Sequence, residues 1–178
     1  MILCGIDPSY SSTGIVIYDD KKDKYKYYGF SKKKKKMKNI INYDYTEDRF
    51  EQYKFILDNV EKILKDNKVE KAYIEGYSFG STGDALIKLF GYCEQLRMLL
   101  IKLDIEYTEI PPTTIKKFAT GYGGKSSDKN IMGRFFYDEA PDDFEFKEEM
   151  WSSKKNIVAP YHDIIDAYWV LKTGISKK

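Results

Sequence analysis

Four carboxylates have the positions and spacing to do chemistry. The apolar run ILCGI ends at Asp7, directly before Pro8 and a string of serines. Glu75 ends a second apolar run in AYIEG, and Asp163 and Asp166 lie three apart in HDIIDAYW. Burying an unpaired carboxylate is costly, and the first lysines after Asp7 are Lys21 and Lys22, beyond the next apolar run. Its positive partner must therefore be distant in sequence, or a metal ion. On a helix, Asp163 and Asp166 share a face, which the flanking Ile164, Ile165, Ala167 and Tyr168 set against a core. If the strands of Asp7 and Glu75 are neighbours and that helix packs across their ends, all four carboxylates converge. Their repulsion calls for divalent cations. Two cations about 3.5–4 Å apart form the clamp that cuts phosphodiesters.

Taken singly, each acid has a plainer reading. An aspartate before proline starts turns, Glu75 before glycine can be a solvated strand end, and Asp163 can cap a helix. The order Asp, Glu, Asp-x-x-Asp, each in a fitting element, is what separates a site from four coincidences. His162, the sole histidine, either orients water or a carboxylate or simply begins a helix.

The elements that would hold these residues can be traced along the chain. Strands are expected at 2–7, 13–18 and 24–30, the last alternating lysine with tyrosine. A lysine-rich loop leads to a helix from near Thr46 to Asn67, with Phe50, Tyr53, Ile56, Leu57, Val60, Ile63 and Leu64 on one face. A short strand ends at Glu75, and a long helix runs from about Asp84 to Leu103. Strand 105–110 is closed by Pro111-Pro112, and a brief helix reaches Ala119. A Gly-rich basic loop, a helix at 128–140, an irregular acidic stretch at 141–150 and a last helix from Tyr161 to Lys172 complete the order. That order predicts a mixed sheet with helices on both faces, within one domain spanning 1–178.

The 178 residues suit one ordinary core. A hydrophobic content of 42% with 33% charged residues describes a globular chain. No apolar run approaches the ~20 residues of a membrane span, no signal peptide is expected, and no membrane partner is called for. Cys4 and Cys93 lie in apolar stretches and read as reduced thiols of a cytoplasmic protein. The net charge of +2 hides strong blocks. Residues 21–38 hold ten lysines and one aspartate, and 138–149 hold seven acids and one lysine. Residues 116–134 hold five basic residues against Asp128. Basic patches of this kind can bind a polyanion, although the run Lys32–Lys36 could equally be a solvated loop tip.

The segments GIDPSYSSTGIVIY, AYIEGYSFG, IKKFATGYGGKSSDKNIM and HDIIDAYWVL resemble, in order and spacing, the motifs of the RuvC family of Holliday-junction resolvases. The Lys/Tyr/Ile-rich style resembles phage members, whose site of action would be the host cytoplasm. The resemblance implies an RNase H-like α/β fold, a five-stranded mixed sheet flanked by helices. It also implies a homodimer that needs magnesium or manganese, two ions per site, and nicks opposing strands of a four-way junction to leave 5′-phosphate ends. Asp7, Glu75, Asp163 and Asp166 match the family's catalytic, metal-binding acids. Lys116 and Lys129 match its DNA-facing basic positions, and Lys125 can serve in place of Lys129 because the preceding loop is longer here. Tyr77 and Phe79 bracket the family's junction-probing aromatic, with Ser78 at that position in a gapless match. Rival readings are a looser nuclease of forks, flaps or three-way branches, a non-catalytic branched-DNA-binding protein, and an actin-like ATPase.

Overall fold

Side chains alternate between the two faces of a strand, and this alternation decides where the first two acids point. The structure is a computed structural model that describes residues 1–32, 37–44, 46–77, 82–122 and 130–177. Its strands are β1 (Ile2–Asp7), β2 (Gly14–Asp19), β3 (Lys24–Ser31), β4 (Ile40–Asn42), β5 (Lys71–Glu75) and β6 (Glu106–Ile110). Helices α1 (Arg49–Asp66), α2 (Asp84–Lys102), α3 (Pro112–Thr120), α4 (Ile131–Glu139) and α5 (Tyr161–Ser176) are interleaved with them. The strands form one sheet in the order β4-β3-β2-β1-β5-β6. β1–β2 and β2–β3 are antiparallel, whereas β1–β5, β5–β6 and β3–β4 are parallel. The sheet has one strand more than the expected five. The extra strand is β4, a three-residue edge strand too short to display an alternating pattern.

Each face of the sheet has its own core. Cys4, Ile6, Ile15, Ile17, Ala72 and Ile74 pack with residues of α1 and α2. Leu3, Val16, Tyr27 and Tyr73 pack with α3, α4 and α5. By alternation, Gly5 and Asp7 share the face of Leu3, and Glu75 shares the face of Tyr73. Both acids therefore look toward α5. The helix lies unusually close to the sheet, because a Cβ on Gly5 would collide with the carbonyl of Ala167 and the side chain of Leu171. On the other face Asp48 caps α1, accepting from the amides of Phe50 (2.8 Å) and Glu51 (3.3 Å).

The oppositely charged blocks meet. The 141–150 stretch is irregular, as expected, yet Phe144, Phe146 and Met150 are buried. Phe146 stacks on Tyr161 with centroids 4.6 Å apart and meets Tyr27 edge-on at 4.8 Å. This anchoring brings Asp143 to Lys24 at 3.3 Å and Glu145 to Lys38 at 3.2 Å. Among the described residues, Cys4 and Cys93 are free thiols, both buried. Burial pushes the Cys93 thiol up to about 11. No helix among them is long and apolar enough to cross a membrane.

Candidate active site

Three elements deliver four carboxylates to one end of the sheet. β1 and β5 run parallel with Ile6 opposite Ile74, so Asp7 and Glu75 are the next residues on adjacent strands. Asp7 is also the register partner of Gly14 on β2. A Cβ on Gly14 would overlap the carbonyl of Asp163, so the first turn of α5 rests directly on that glycine. Asp166 follows one helical turn later. A glycine within a strand signals a close backbone approach, and Gly14 in TGIVIY carried that signal in the sequence.

The serine-rich turn between β1 and β2 is fixed from several sides. Thr13 is fully buried, and its hydroxyl donates to the Ser9 carbonyl. That leaves the Tyr92 hydroxyl of α2 to donate to Thr13 Oγ1, at 2.7 Å. Tyr43 donates to the carbonyl of Ser11. Ser12, within the same turn, hydrogen-bonds the Asp163 carboxylate and lowers its proton affinity.

Electrostatics mark the four acids as a unit. Asp7 and Asp166 are pushed well above the usual carboxylate range, first by burial and then by the other acids. Burial also raises Glu75 and takes Asp163 to about 7. The Asp7 and Glu75 carboxyls are near enough to shift each other's proton affinity directly. Asp163 is 7% exposed, and its Oδ2 is buried with no hydrogen-bond partner among the described residues. His162 Nδ1 lies 3.4 Å from that oxygen, but burial lowers the proton affinity of the imidazole, so it brings no positive charge at neutral pH.

Among the described residues, no three His, Cys, Asp or Glu side chains stand close enough together, as oriented, to hold a metal ion. This does not conflict with their mutual electrostatic influence. Charge acts across several ångströms, whereas a coordination shell gathers oxygens within about 2.0–2.6 Å of one point. Asp7 and Glu75 stand side by side on adjacent strands and, as oriented, are not gathered with a third acid about one cation position. The donor set nevertheless fits one. All four groups offer hard carboxylate oxygens, the type that suits magnesium or manganese. Asp163 Oδ2, a buried acceptor without a hydrogen bond among the described residues, is suited to such an ion.

The basic and aromatic candidates divide. Lys116 stands half-exposed on α3, which begins two residues after Ile110, the register partner of Glu75. Lys125, Lys129, Phe79, Ser78 and residues 33–36 of the lysine run lie outside the described residues. Tyr77 is held against α2. Its ring lies 4.3 Å from that of Phe90, and the Arg97 guanidinium sits 4.4 Å over its face. Its hydroxyl contacts Glu94 and accepts from Arg97 at 3.1 Å. Arg97 in turn makes a two-pronged pair with Glu109 of β6, at 2.7 and 2.9 Å.

No protein-family profile matches the chain. Curated relatives do. The crossover junction endodeoxyribonuclease RuvC of Rickettsia bellii is 31% identical over 130 residues, covering 72% of this chain and 77% of the relative. The RuvC of Rickettsia felis is 30% identical over 132 residues, covering 72% and 78%. Among solved structures, Thermus thermophilus RuvC superposes with a TM-score of 0.62 at 16% identity, covering 97% of this chain and 92% of that one. The fowlpox virus resolvase in complex with substrate Holliday junction DNA gives 0.54 at 12% identity, covering 99% and 98%. The architecture is the RNase H-like α/β fold, a mixed sheet of six strands with helices on both faces.

Proposed function

Because this chain belongs to the RuvC family of crossover junction endodeoxyribonucleases, we propose that it resolves four-way DNA junctions by paired, symmetric, metal-dependent nicks. The observation that carries this reading is the meeting of Asp7, Glu75, Asp163 and Asp166 at one end of the sheet, each with its proton affinity raised. Magnesium or manganese, two ions held by these four residues, supplies when bound the counter-charge and the acidified water that phosphodiester hydrolysis needs. The chain's own residues do the positioning. The pairing of β1 with β5 sets Asp7 beside Glu75. Ser12 orients Asp163, and Gly14 lets α5 approach. Lys116 holds a phosphate of the cut strand next to the carboxylates, with Lys125 and Lys129 acting on the same strand. The products carry 5′-phosphate ends. Two nicks in opposing strands need two sites, and a homodimer related by a two-fold axis provides them.

The test is a labelled four-way junction incubated with and without magnesium, with nicks mapped on every strand. Symmetric nicks in two opposing strands, dependent on the metal, are expected. Cutting confined to forks, flaps or three-way branches would replace this reading with a looser branched-DNA nuclease. Tight junction binding with no cutting under any divalent metal would leave a non-catalytic binding protein.

A further inference from the structure

A cavity of about 570 Å³ opens beside Asp163. Ser11, Ser12, Ser31, Lys32 and His162 line it, with Val158 and Ala159 as its accessible apolar side and the fully buried Phe30 behind them. It joins two features that the sequence keeps apart. At one end, Ser12 and His162 both lie against the Asp163 carboxylate. At the other, Ser31 directly precedes Lys32, the first of the five-lysine run. Another sizeable cavity, about 540 Å³, lies at the far end of the sheet around Ile2, Asp19 and Asp66, away from the carboxylates.

The lining defines the chemistry of the occupant. None of the eight described wall residues is acidic, although four carboxylates lie next door. A wall of hydroxyls, an imidazole and an ammonium offers hydrogen bonds and positive charge, which suits an anion and not a second cation. The apolar side adds a surface for a flat or aliphatic group. A volume within the range of about 300–1,000 Å³ typical of ligand sites admits a group of nucleotide size. Resting on the nuclease reading above, we infer that this cavity is a nucleotide subsite. It receives the residue of the cut strand that flanks the scissile phosphate, with that residue's own phosphate at the exposed Lys32 and its sugar or base against Val158 and Ala159. Lys32, the first of the lysine run, is thus a positioning residue for the reaction and not part of a solvated tip.

The experiment pairs a variant with a neutralised phosphate. Four-way junctions are made with one uncharged methylphosphonate at each position within two nucleotides of the mapped nick. Single-turnover cleavage is measured for the wild type and for Lys32→Ala, a change at an exposed side chain that leaves the core intact. Lys32→Ala lowers the rate on the all-phosphate junction about tenfold, the scale of one charge-assisted hydrogen bond. One methylphosphonate position lowers the wild-type rate by a similar factor. Combined, the two changes cost no more than either alone, because they remove the same contact. If Lys32→Ala cuts at the wild-type rate, or if its loss multiplies with that of every methylphosphonate to about a hundredfold, the subsite is wrong while the nuclease reading stands. If the wild type nicks no branched DNA at all, the nuclease reading fails and the subsite fails with it.

Discussion

Gly14 lies directly beneath the peptide of Asp163, so that a side chain on the glycine would overlap the Asp163 carbonyl. Gly14 is also the strand partner of Asp7. One residue without a side chain thus sets the distance between the acid on β1 and the acids on α5. Gly14→Ala must push α5 outward, because the obstacle is backbone and not a flexible side-chain tip. Overpacking of this kind costs about 1–3 kcal/mol, and a displacement of about 1 Å at a reacting centre can cost a hundredfold in rate. Gly14→Ala is expected to lower the melting temperature modestly and cleavage by about a hundredfold or more. Melting and single-turnover cleavage measured on the same preparation check it. A variant whose lost activity is fully accounted for by its unfolded fraction would deny Gly14 its spacing role.

The four carboxylates should separate catalysis from binding. Asp7→Asn, Glu75→Gln, Asp163→Asn and Asp166→Asn are each expected to abolish cleavage while junction binding persists. Without metal, Asp7→Asn should also be more stable than the wild type, since an acid strained by burial and by three neighbouring acids becomes neutral. Magnesium should raise the wild-type melting temperature, because it binds only the folded site, and should raise that of Asp7→Asn much less. Thermal melts with and without magnesium, beside gel-shift and cleavage assays, read all three effects. Full activity in any one variant would remove that residue from the site.

Arg97, Glu109 and Tyr77 tie α2 and β6 to the chain leaving Glu75. Arg97 is buried, and its guanidinium holds the Glu109 carboxyl below the ordinary glutamate value of 4.5. A depressed folded value means that this pair stabilises fully above about pH 4.5 and loses its contribution as pH falls below that through the folded value. Glu109→Gln should therefore cost about 1–2 kcal/mol at neutral pH, the scale of a partly exposed charge-assisted pair, and the difference from wild type should shrink in acid. Urea melts at pH 7 and at pH 3.5–4 make the comparison. A difference that stays constant across that range would mean that the Arg97–Glu109 charge pair contributes nothing.

Much of this site could be read in the chain because its signals are local. Asp7 and Glu75 each close an apolar run, and Asp163 and Asp166 show a helical spacing within an apolar segment. β4 could not be read, since Ile40–Asn42 is too short for alternation and follows the lysine run. Nor could the Arg97–Glu109–Tyr77 tie, whose members come from α2, β6 and the segment after β5 and touch only once β5 and β6 are paired and α2 is packed on them. The anchoring of the acidic stretch had a faint signal in the alternation of Phe144 and Phe146 with acids. Their burial depends on Tyr27, Phe136 and Tyr161, far away in sequence.

Lys116 is expected to matter more for cutting than for holding DNA. It stands on α3 at the end of the sheet where Glu75 lies. Removing one phosphate contact lowers the slope of log K against log salt by about 0.9 on duplex DNA. Misplacing the strand at the carboxylates costs rate in addition. Lys116→Ala should thus weaken junction binding slightly, flatten its salt dependence by about one contact, and lower single-turnover cleavage by a larger factor. Binding isotherms at several salt concentrations, with saturating-enzyme cleavage, distinguish the two losses. Cleavage at the wild-type rate would take Lys116 off the scissile strand.

Paired nicks require a second copy of the site, and α2 offers the surface that would bring it. Along this helix Tyr92, Cys93, Leu96, Leu99 and Leu100 are buried in the sheet core. Ile87, Met98 and Ile101 are instead 59%, 63% and 58% exposed. They lie eleven and three residues apart, which sets all three on one side of the helix. A two-fold axis would set the same stripe of each copy against the other. The chain is expected to sediment as a dimer at micromolar concentration. Met98→Glu combined with Ile101→Glu, both at exposed positions, should give a folded monomer with an unchanged far-ultraviolet spectrum. That monomer should lose the paired nicks and retain at most single, uncoordinated ones. A wild-type chain that sediments as a monomer with and without junction DNA would rule out the dimer. A dimer that survives both substitutions would move the interface off α2.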